Sequence, residues 1–129
     1  MNKILIEVSV GELLDKISIL EIKKDKIKSL EKLKFINDEY LILNSQLKEN
    51  VNLNDKVNSL YNELKAINFK LWDIEDNKRN CEKESDFGEK FIKLSRDVHF
   101  LNDERAKIKL EINNLTGSKI KEIKEYTNY

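Results

Sequence analysis

Proline is absent from this chain of 129 residues, and glycine occurs only three times. Because these two residues most often end helices and strands, their scarcity favours long uninterrupted helices. Hydrophobic residues make up 40% of the chain, which is too high a share for a disordered segment. The composition therefore predicts one all-α domain over residues 1–129.

Cysteine and long apolar runs are also scarce. A single cysteine, Cys81, excludes an internal disulfide and any metal site built on several thiolates. No apolar run reaches the roughly 18 residues of a membrane span, and the first residues lack the apolar segment of a signal peptide. We therefore expect a cytoplasmic protein with no membrane partner.

Charge of one sign is not in excess, since 24 basic residues are balanced by 24 acidic residues. The two signs are interspersed along the chain. Nucleic-acid binding surfaces need clustered cations, so no nucleic-acid partner is expected.

The first half of the chain predicts a short strand and a helical hairpin. Ile4, Ile6 and Val8 alternate with other residues over 1–9, which is a strand pattern. Ser9 and Glu12 then fit a capping box, in which the serine accepts from the Glu12 amide and Glu12 reaches back. Helices are predicted over 10–27 and, after a second cap at residue 29, over 30–49, so that 10–50 form the first hairpin.

The second half predicts a longer hairpin over residues 54–115. Asn54 is a candidate cap for a helix over 55–83, and a turn at 86–89 precedes the last helix. Apolar residues recur by threes and fours along both helices, which is typical of coiled-coil packing. Gly117 marks the end of the last helix, and the tail at 116–129 is a candidate strand beside the first one. Because the second hairpin is longer, its overhang predicts a homodimer.

Arg105 interrupts the apolar seam of the last helix. An unpaired buried guanidinium would be very unfavourable, so Arg105 needs a carboxylate or an anionic ligand. The helical phase places it beside Leu64, which carries no charge. We therefore expect its partner to be Glu12, Asp15 or Glu21 on the first helix, or an acid from a second subunit.

Each of the two long helices has a second face that mixes aromatic and charged residues. These faces carry Trp72, Asp76 and Arg79 on one helix and Arg96, His99 and Asp103 on the other. One interpretation is a packing face with ion pairs Glu75–Arg79 and His99–Asp103 one turn apart. The other is a ligand cleft in which arginines bind an anion and Trp72 stacks on the ligand. His99 is also a candidate general base oriented by Asp103, but no nucleophile motif accompanies it.

Carboxylates spaced by three residues raise the question of a metal. The pairs Glu12–Asp15 and Asp73–Asp76 resemble the helical carboxylates with which all-α nucleotide pyrophosphatases bind magnesium. Such pairs are also common by chance in a chain that is 37% charged. We therefore expect neither a metal nor a cofactor.

Several ordered motifs resemble those of a bacterial and phage family of small helical proteins of unknown function. They are Val8–Lys23, the LWDIED segment at 71–76 with Arg79, the DFG segment at 86–88, Asn102–Asp103 with Arg105, and Gly117–Ser118 with Ile120, Glu122, Lys124 and Tyr126. The resemblance covers nearly the whole chain. It implies an association with glycosyltransferase and surface-polysaccharide genes, but it implies no activity. His99 departs from the tyrosine expected there, which argues against a catalytic histidine.

The sequence therefore favours a binding or assembly protein that serves surface-polysaccharide synthesis. The alternative is an enzyme for an anionic substrate, similar to a nucleotide pyrophosphohydrolase or a chorismate mutase. Residues 13–23 resemble the first helix of helical chorismate mutases, although they contain no arginine. Expected partners are a second copy of the chain and either another protein or a small anionic ligand. Catalytic residues stay unassigned, and the candidate ligand-binding residues are Glu12, Asp15, Lys16, Glu21, Trp72, Glu75, Asp76, Arg79, Asp103 and Arg105.

Overall fold

A computed structural model describes residues 2–129 as four helices, with no strand in this range. The helices are α1 (Val10–Lys26), α2 (Leu30–Asn50), α3 (Asp55–Lys83) and α4 (Glu89–Thr116). The predicted all-helical bundle is therefore confirmed. None of the four helices is both long and apolar enough to cross a membrane, over the residues that the structure describes.

Local capping chemistry sets the helix ends close to where the sequence predicts them. The side chains of Ser9, Ser29 and Asn54 each accept a hydrogen bond from the amide three residues ahead. Gly117 ends α4 with a φ of 68°, a left-handed conformation that glycine adopts without a steric penalty. The chain between α3 and α4 turns at residues 84–85, earlier than the predicted 86–89, and Gly88 immediately precedes α4 without a side-chain cap.

The central element of the bundle is α1, which packs against the other three helices. Leu13, Leu14 and Ile17 of α1 lie in the core with Leu64 of α3 and Ile112 of α4. The long helices α3 and α4 pack against each other, whereas the backbone of α2 approaches only α1. Buried polar residues on α1 therefore face α3 and α4 rather than solvent.

The short strand predicted at residues 1–9 does not form in the single chain. Residues 2–9 precede α1 without strand structure, and Met1 lies outside the described residues. The tail after Gly117 forms no strand either. A strand needs a neighbour for its backbone N–H and C=O groups, and neither segment pairs with the other.

The tail instead runs back along α4. Glu122 contacts Lys109, and Tyr129 lies farther back, in the first half of the helix, where its ring is 5.3 Å from those of His99 and Phe100. The Tyr129 hydroxyl bonds the carboxylate of Asp103. Asp103 therefore pairs with the tail, and no His99–Asp103 ion pair is present between residues 2 and 129.

Candidate functional site

The site is built where the start of α1 crosses the end of α4. The amide of Gly11 donates to Oδ1 of Asn113 at 2.7 Å. A Cβ atom at position 11 would lie only 2.6 Å from the carbonyl oxygen of Lys109, so glycine permits this close approach. Glu12 meets Lys109, and Asp15 meets Arg105, one turn farther along each helix. The order of these contacts makes α1 and α4 antiparallel.

Asp15 is the buried centre of the site, with 1% of its surface exposed. Its carboxylate accepts two hydrogen bonds from Arg105, Nε to Oδ1 at 2.9 Å and Nη2 to Oδ2 at 2.5 Å. Nδ2 of Asn68 donates to Oδ1 at 2.9 Å. This is the two-point geometry that a guanidinium and a carboxylate favour, and it identifies the partner that Arg105 requires.

The environment holds Asp15 in its charged form. Burial raises the pKa of the Asp15 carboxyl, but hydrogen bonds from Arg105 and Asn68 and the nearby positive charges more than offset this, so the pKa lies below its ordinary value. The hydrogen bonds to Asp15 in turn raise the pKa of Arg105. The pair is therefore a permanently ionised unit at neutral pH.

A second buried cation, Lys109, connects this pair to the tail. Its Nζ lies 2.7 Å from Glu12, 3.8 Å from Asp15 and 3.2 Å from Glu122. Burial lowers the pKa of Lys109, but the bond to Glu12 and the other carboxylates outweigh burial and raise it. The Glu12 carboxylate therefore accepts from Lys109. The capping box predicts instead that this carboxylate reaches back to the Ser9 amide.

Beside the Asp15–Arg105 pair lies an open groove of about 410 Å³, which we call the Trp72 groove. Its floor is apolar and its rim is charged, and its lining includes five of the predicted site residues. The lining residues are Ile19, Ile22, Asn68, Leu71, Trp72, Glu75, Asp76, Arg79 and Arg105. A groove of this size and composition can hold a small molecule.

Arg105 lies at one end of this groove, is half-buried and still has hydrogen-bonding capacity. Two of its five N–H groups are used on Asp15 and a third on Asn102 at 3.3 Å. The side chain is 29% exposed, so the other N–H groups can reach a ligand oxygen. The rim pair Glu75–Arg79, at 2.6 Å, is exposed and confirms the predicted ion pair.

The other predicted site residues lie apart from the groove. Glu21 accepts from Lys65 at 2.7 Å and from the Tyr61 hydroxyl, in a half-buried cluster between α1 and α3. Burial raises the pKa of Glu21, but the bonds from Lys65 and Tyr61 lower it below its ordinary value. Burial and the Glu21 carboxylate raise the pKa of Tyr61.

Two further predicted site residues lie outside both the groove and this cluster. Lys16 is exposed, and Asp103 accepts a hydrogen bond from Tyr129 of the tail.

The two carboxylate pairs do not assemble a cation site. Glu12 and Asp15 share Lys109, while Asp73 lies 3.5 Å from Lys26 and Asp76 points into the Trp72 groove. Among residues 2–129, no three His, Cys, Asp or Glu side chains are grouped as metal ligands usually are.

Sequence reasoning missed three members of the site: Asn68, Lys109 and Glu122. Asn68 and Lys109 each adjoin an apolar seam residue on a long helix, which is the one signal that could have marked them as inward-facing. Glu122 belongs to the tail, whose path no periodicity predicts.

Comparison with known proteins identifies the family of the chain but assigns it no function. Residues 4–129 match the model of a family of unknown function, DUF6165, and the chain belongs to that family. No curated protein and no solved structure matches the chain.

Proposed function

We propose that this member of the DUF6165 family is a non-catalytic binding or assembly protein that takes a small ligand into the Trp72 groove. The observation that carries the proposal is Arg105, which a buried carboxylate holds in the lining of the groove while its side chain stays 29% exposed. A cation positioned in this way is pre-organised for a ligand oxygen and needs little reordering on binding.

The bonding of the acids supports binding rather than catalysis. The Asp15 carboxylate accepts hydrogen bonds from Arg105 and Asn68, and its pKa is lowered. It is therefore a poor acceptor for a substrate proton. Glu75 is paired with Arg79 on the rim. Asp76 is the one groove carboxylate with no ion-pair partner among residues 2–129, and no nucleophile lines the groove beside it.

We further propose that the protein works in the cytoplasm as a homodimer that serves surface-polysaccharide synthesis. The polysaccharide link comes from the family resemblance. The dimer is supported by helix lengths: α3 and α4 have 29 and 28 residues, against 17 and 21 for α1 and α2. If α1 with α2 and α3 with α4 form two antiparallel hairpins, the longer α3–α4 hairpin projects beyond the shorter one. The exposed residues Phe87 and Ile92 lie at its projecting end. A protein partner is the other candidate to cover this surface.

The alternative function is an enzyme for an anionic substrate, of the nucleotide pyrophosphohydrolase or chorismate mutase type. Arg79 and Arg105 in one groove favour it, because two guanidiniums can bind a phosphate or a dicarboxylate. The opposing charge of Glu75 and Asp76 argues against a strongly anionic occupant.

A ligand screen with two readouts tests these proposals. Nucleotides, nucleotide sugars, chorismate and divalent cations would each be added to the protein while thermal unfolding and tryptophan fluorescence are followed. Trp72 is the only tryptophan, so a fluorescence change reports on this groove. A ligand present at 100 times its Kd should stabilise the fold by about 2.7 kcal/mol. Turnover of a bound compound would support the enzyme instead.

The matched control uses a second arginine on α4. Arg105→Met should abolish the thermal shift and the fluorescence change caused by a groove ligand. Arg96→Met, on the same helix but outside the groove, should leave both signals intact. A ligand that still binds the Arg105 variant with unchanged affinity would contradict the role given to Arg105.

A further inference from the structure

Residues 2–8 form an arm that leaves the bundle at the Ser9 cap and exposes consecutive apolar side chains. Ile4, Leu5 and Ile6 are 90%, 87% and 77% exposed. A run of three exposed apolar residues is unusual on a protein surface and marks an interaction segment. The arm leaves the bundle next to Ser118, whose hydroxyl accepts from the Val10 amide at 3.2 Å, so the point of departure is defined.

The arm is complementary to a second copy of itself. If two arms pair antiparallel with Leu5 opposite Leu5, Lys3 of each copy lies opposite Glu7 of the other, and Ile4 lies opposite Ile6. Directly opposed residues project to the same face of a β-ribbon, and opposite charges there stabilise the pair. One face then carries two Lys–Glu pairs around the two leucines. The other carries Ile4 and Ile6 of both copies, with Val8 of each copy opposite Asn2 of the other.

The end of the bundle offers cover for that apolar face. A groove of about 180 Å³ lies there, and its lining is half apolar and half polar: Val10, Val51, Val57, Leu115, Asn50, Asn52, Asn54 and Thr116. Leu115 and the neighbouring Leu53 are both 38% exposed. Two-stranded ribbons are only marginally stable alone, so the ribbon requires the additional contact that these two exposed leucines offer.

We propose that two copies of this chain associate through their arms, which form a two-stranded antiparallel ribbon centred on Leu5. This inference rests on the homodimer proposed above and names its interface, which differs from the overhang of α3 and α4. It also accounts for the strand pattern in a segment that forms no strand in the single chain, because the pairing strand belongs to the second copy.

A charge-reversal cycle tests the register. By symmetry, Lys3→Glu places like charges opposite each other at two positions, so the dimer Kd from sedimentation equilibrium should rise by about tenfold at low salt. Glu7→Lys should act equally. The double variant Lys3→Glu/Glu7→Lys restores both pairs and should return the Kd to that of the wild type. Because the arm lies outside the helices, the circular dichroism and Tm of all three variants should match the wild type when measured below the dimer Kd, where every variant is a monomer.

Crosslinking tests the same register independently. Leu5→Cys places two thiols opposite each other across the ribbon and should give an oxidised dimer rapidly. Ile4→Cys faces Ile6 of the other copy and should crosslink much more slowly. The wild type is the control for Cys81, which is buried.

The outcomes separate the interface from the dimer itself. A dimer whose Kd is unchanged by both single reversals would overturn arm pairing while leaving the overhang interface standing. A monomer at micromolar and higher concentrations would overturn both. Association that is lost on deleting residues 2–8 but is indifferent to the charge reversals would mean a different register or occupant, and would also overturn the proposal.

Discussion

The Asp15–Arg105 pair and the Glu75–Arg79 pair lie at opposite ends of one groove and join the same two residue classes. Asp15 is buried and its arginine comes from another helix 90 residues away in the chain, whereas Glu75 and Arg79 are exposed and one turn apart. The first pair is largely removed from water, because Asp15 is buried and Arg105 is half-buried, whereas the second pair stays in water. The two carboxylate–guanidinium pairs should therefore contribute differently to stability, because breaking a buried pair costs much more than breaking an exposed one.

The largest effect should come from breaking the buried pair. Arg105→Met leaves the Asp15 carboxylate with Asn68 and Lys109 alone, and it should lower the free energy of unfolding by on the order of 3 kcal/mol. Urea denaturation measures this. The double variant Asp15→Asn/Arg105→Met removes the stranded charge and should recover most of the loss. If the single variant were as stable as the wild type, Arg105 would be present for a ligand and not for the fold.

Acid should destabilise the fold through the Asp15–Arg105 pair. The folded pKa of Asp15 lies below its ordinary value of 3.8, so its ionised form stabilises the fold above that pH. The contribution falls as the pH drops through the lower, folded pKa. Unfolding free energies measured between pH 6 and pH 2 should therefore decline below about pH 4. The double variant Asp15→Asn/Arg105→Met should show a shallower decline, and parallel curves for the two proteins would contradict the assignment.

A cluster of intermediate burial should give an intermediate effect. Glu21 is bonded by Lys65 and Tyr61 between α1 and α3 and is only partly exposed. Glu21→Gln keeps the shape but removes the charge, so we expect a loss of about 1 kcal/mol in urea denaturation. Lys65→Met should lose less, because the Tyr61 bond to Glu21 remains. A loss for Glu21→Gln as large as that for Arg105→Met would mean that burial does not order these sites.

The same distinction explains how much of the molecule could be predicted from its sequence. Helix ends follow from residues within one turn, so the caps at Ser9, Ser29 and Asn54 were predictable. The need of Arg105 for a partner on the first helix was predictable too, because one buried charge implies another. The choice of Asp15 over Glu12 and Glu21 depends on where α1 crosses α4, which residue spacing does not encode. The same crossing lets Arg105 and Asn68 share one oxygen of the Asp15 carboxylate.

Features that need a distant or second segment were the ones that sequence reasoning missed. Glu12 fitted a capping box, but Lys109 competes for its carboxylate. His99 and Asp103 have the spacing of an ion pair, but the tail brings Tyr129 to Asp103 instead. The strand pattern of residues 4–8 has no partner strand among residues 2–129. In the first two cases a contact from elsewhere in the chain determined how the local pattern is used.

The smallest effect should come from the exposed pair at the groove rim. Arg79→Met removes an i,i+4 bridge that lies in water and is screened by salt, so we expect a loss of no more than about 0.5 kcal/mol. Lys93→Met, which breaks the exposed Lys93–Asp97 bridge outside the groove, is the matched control and should cost about the same. The two variants should differ only when a groove ligand is present, because Arg79 lines the Trp72 groove and Lys93 does not. A loss near 3 kcal/mol for Arg79→Met, persisting in high salt, would show that exposure does not separate the two ends of the groove.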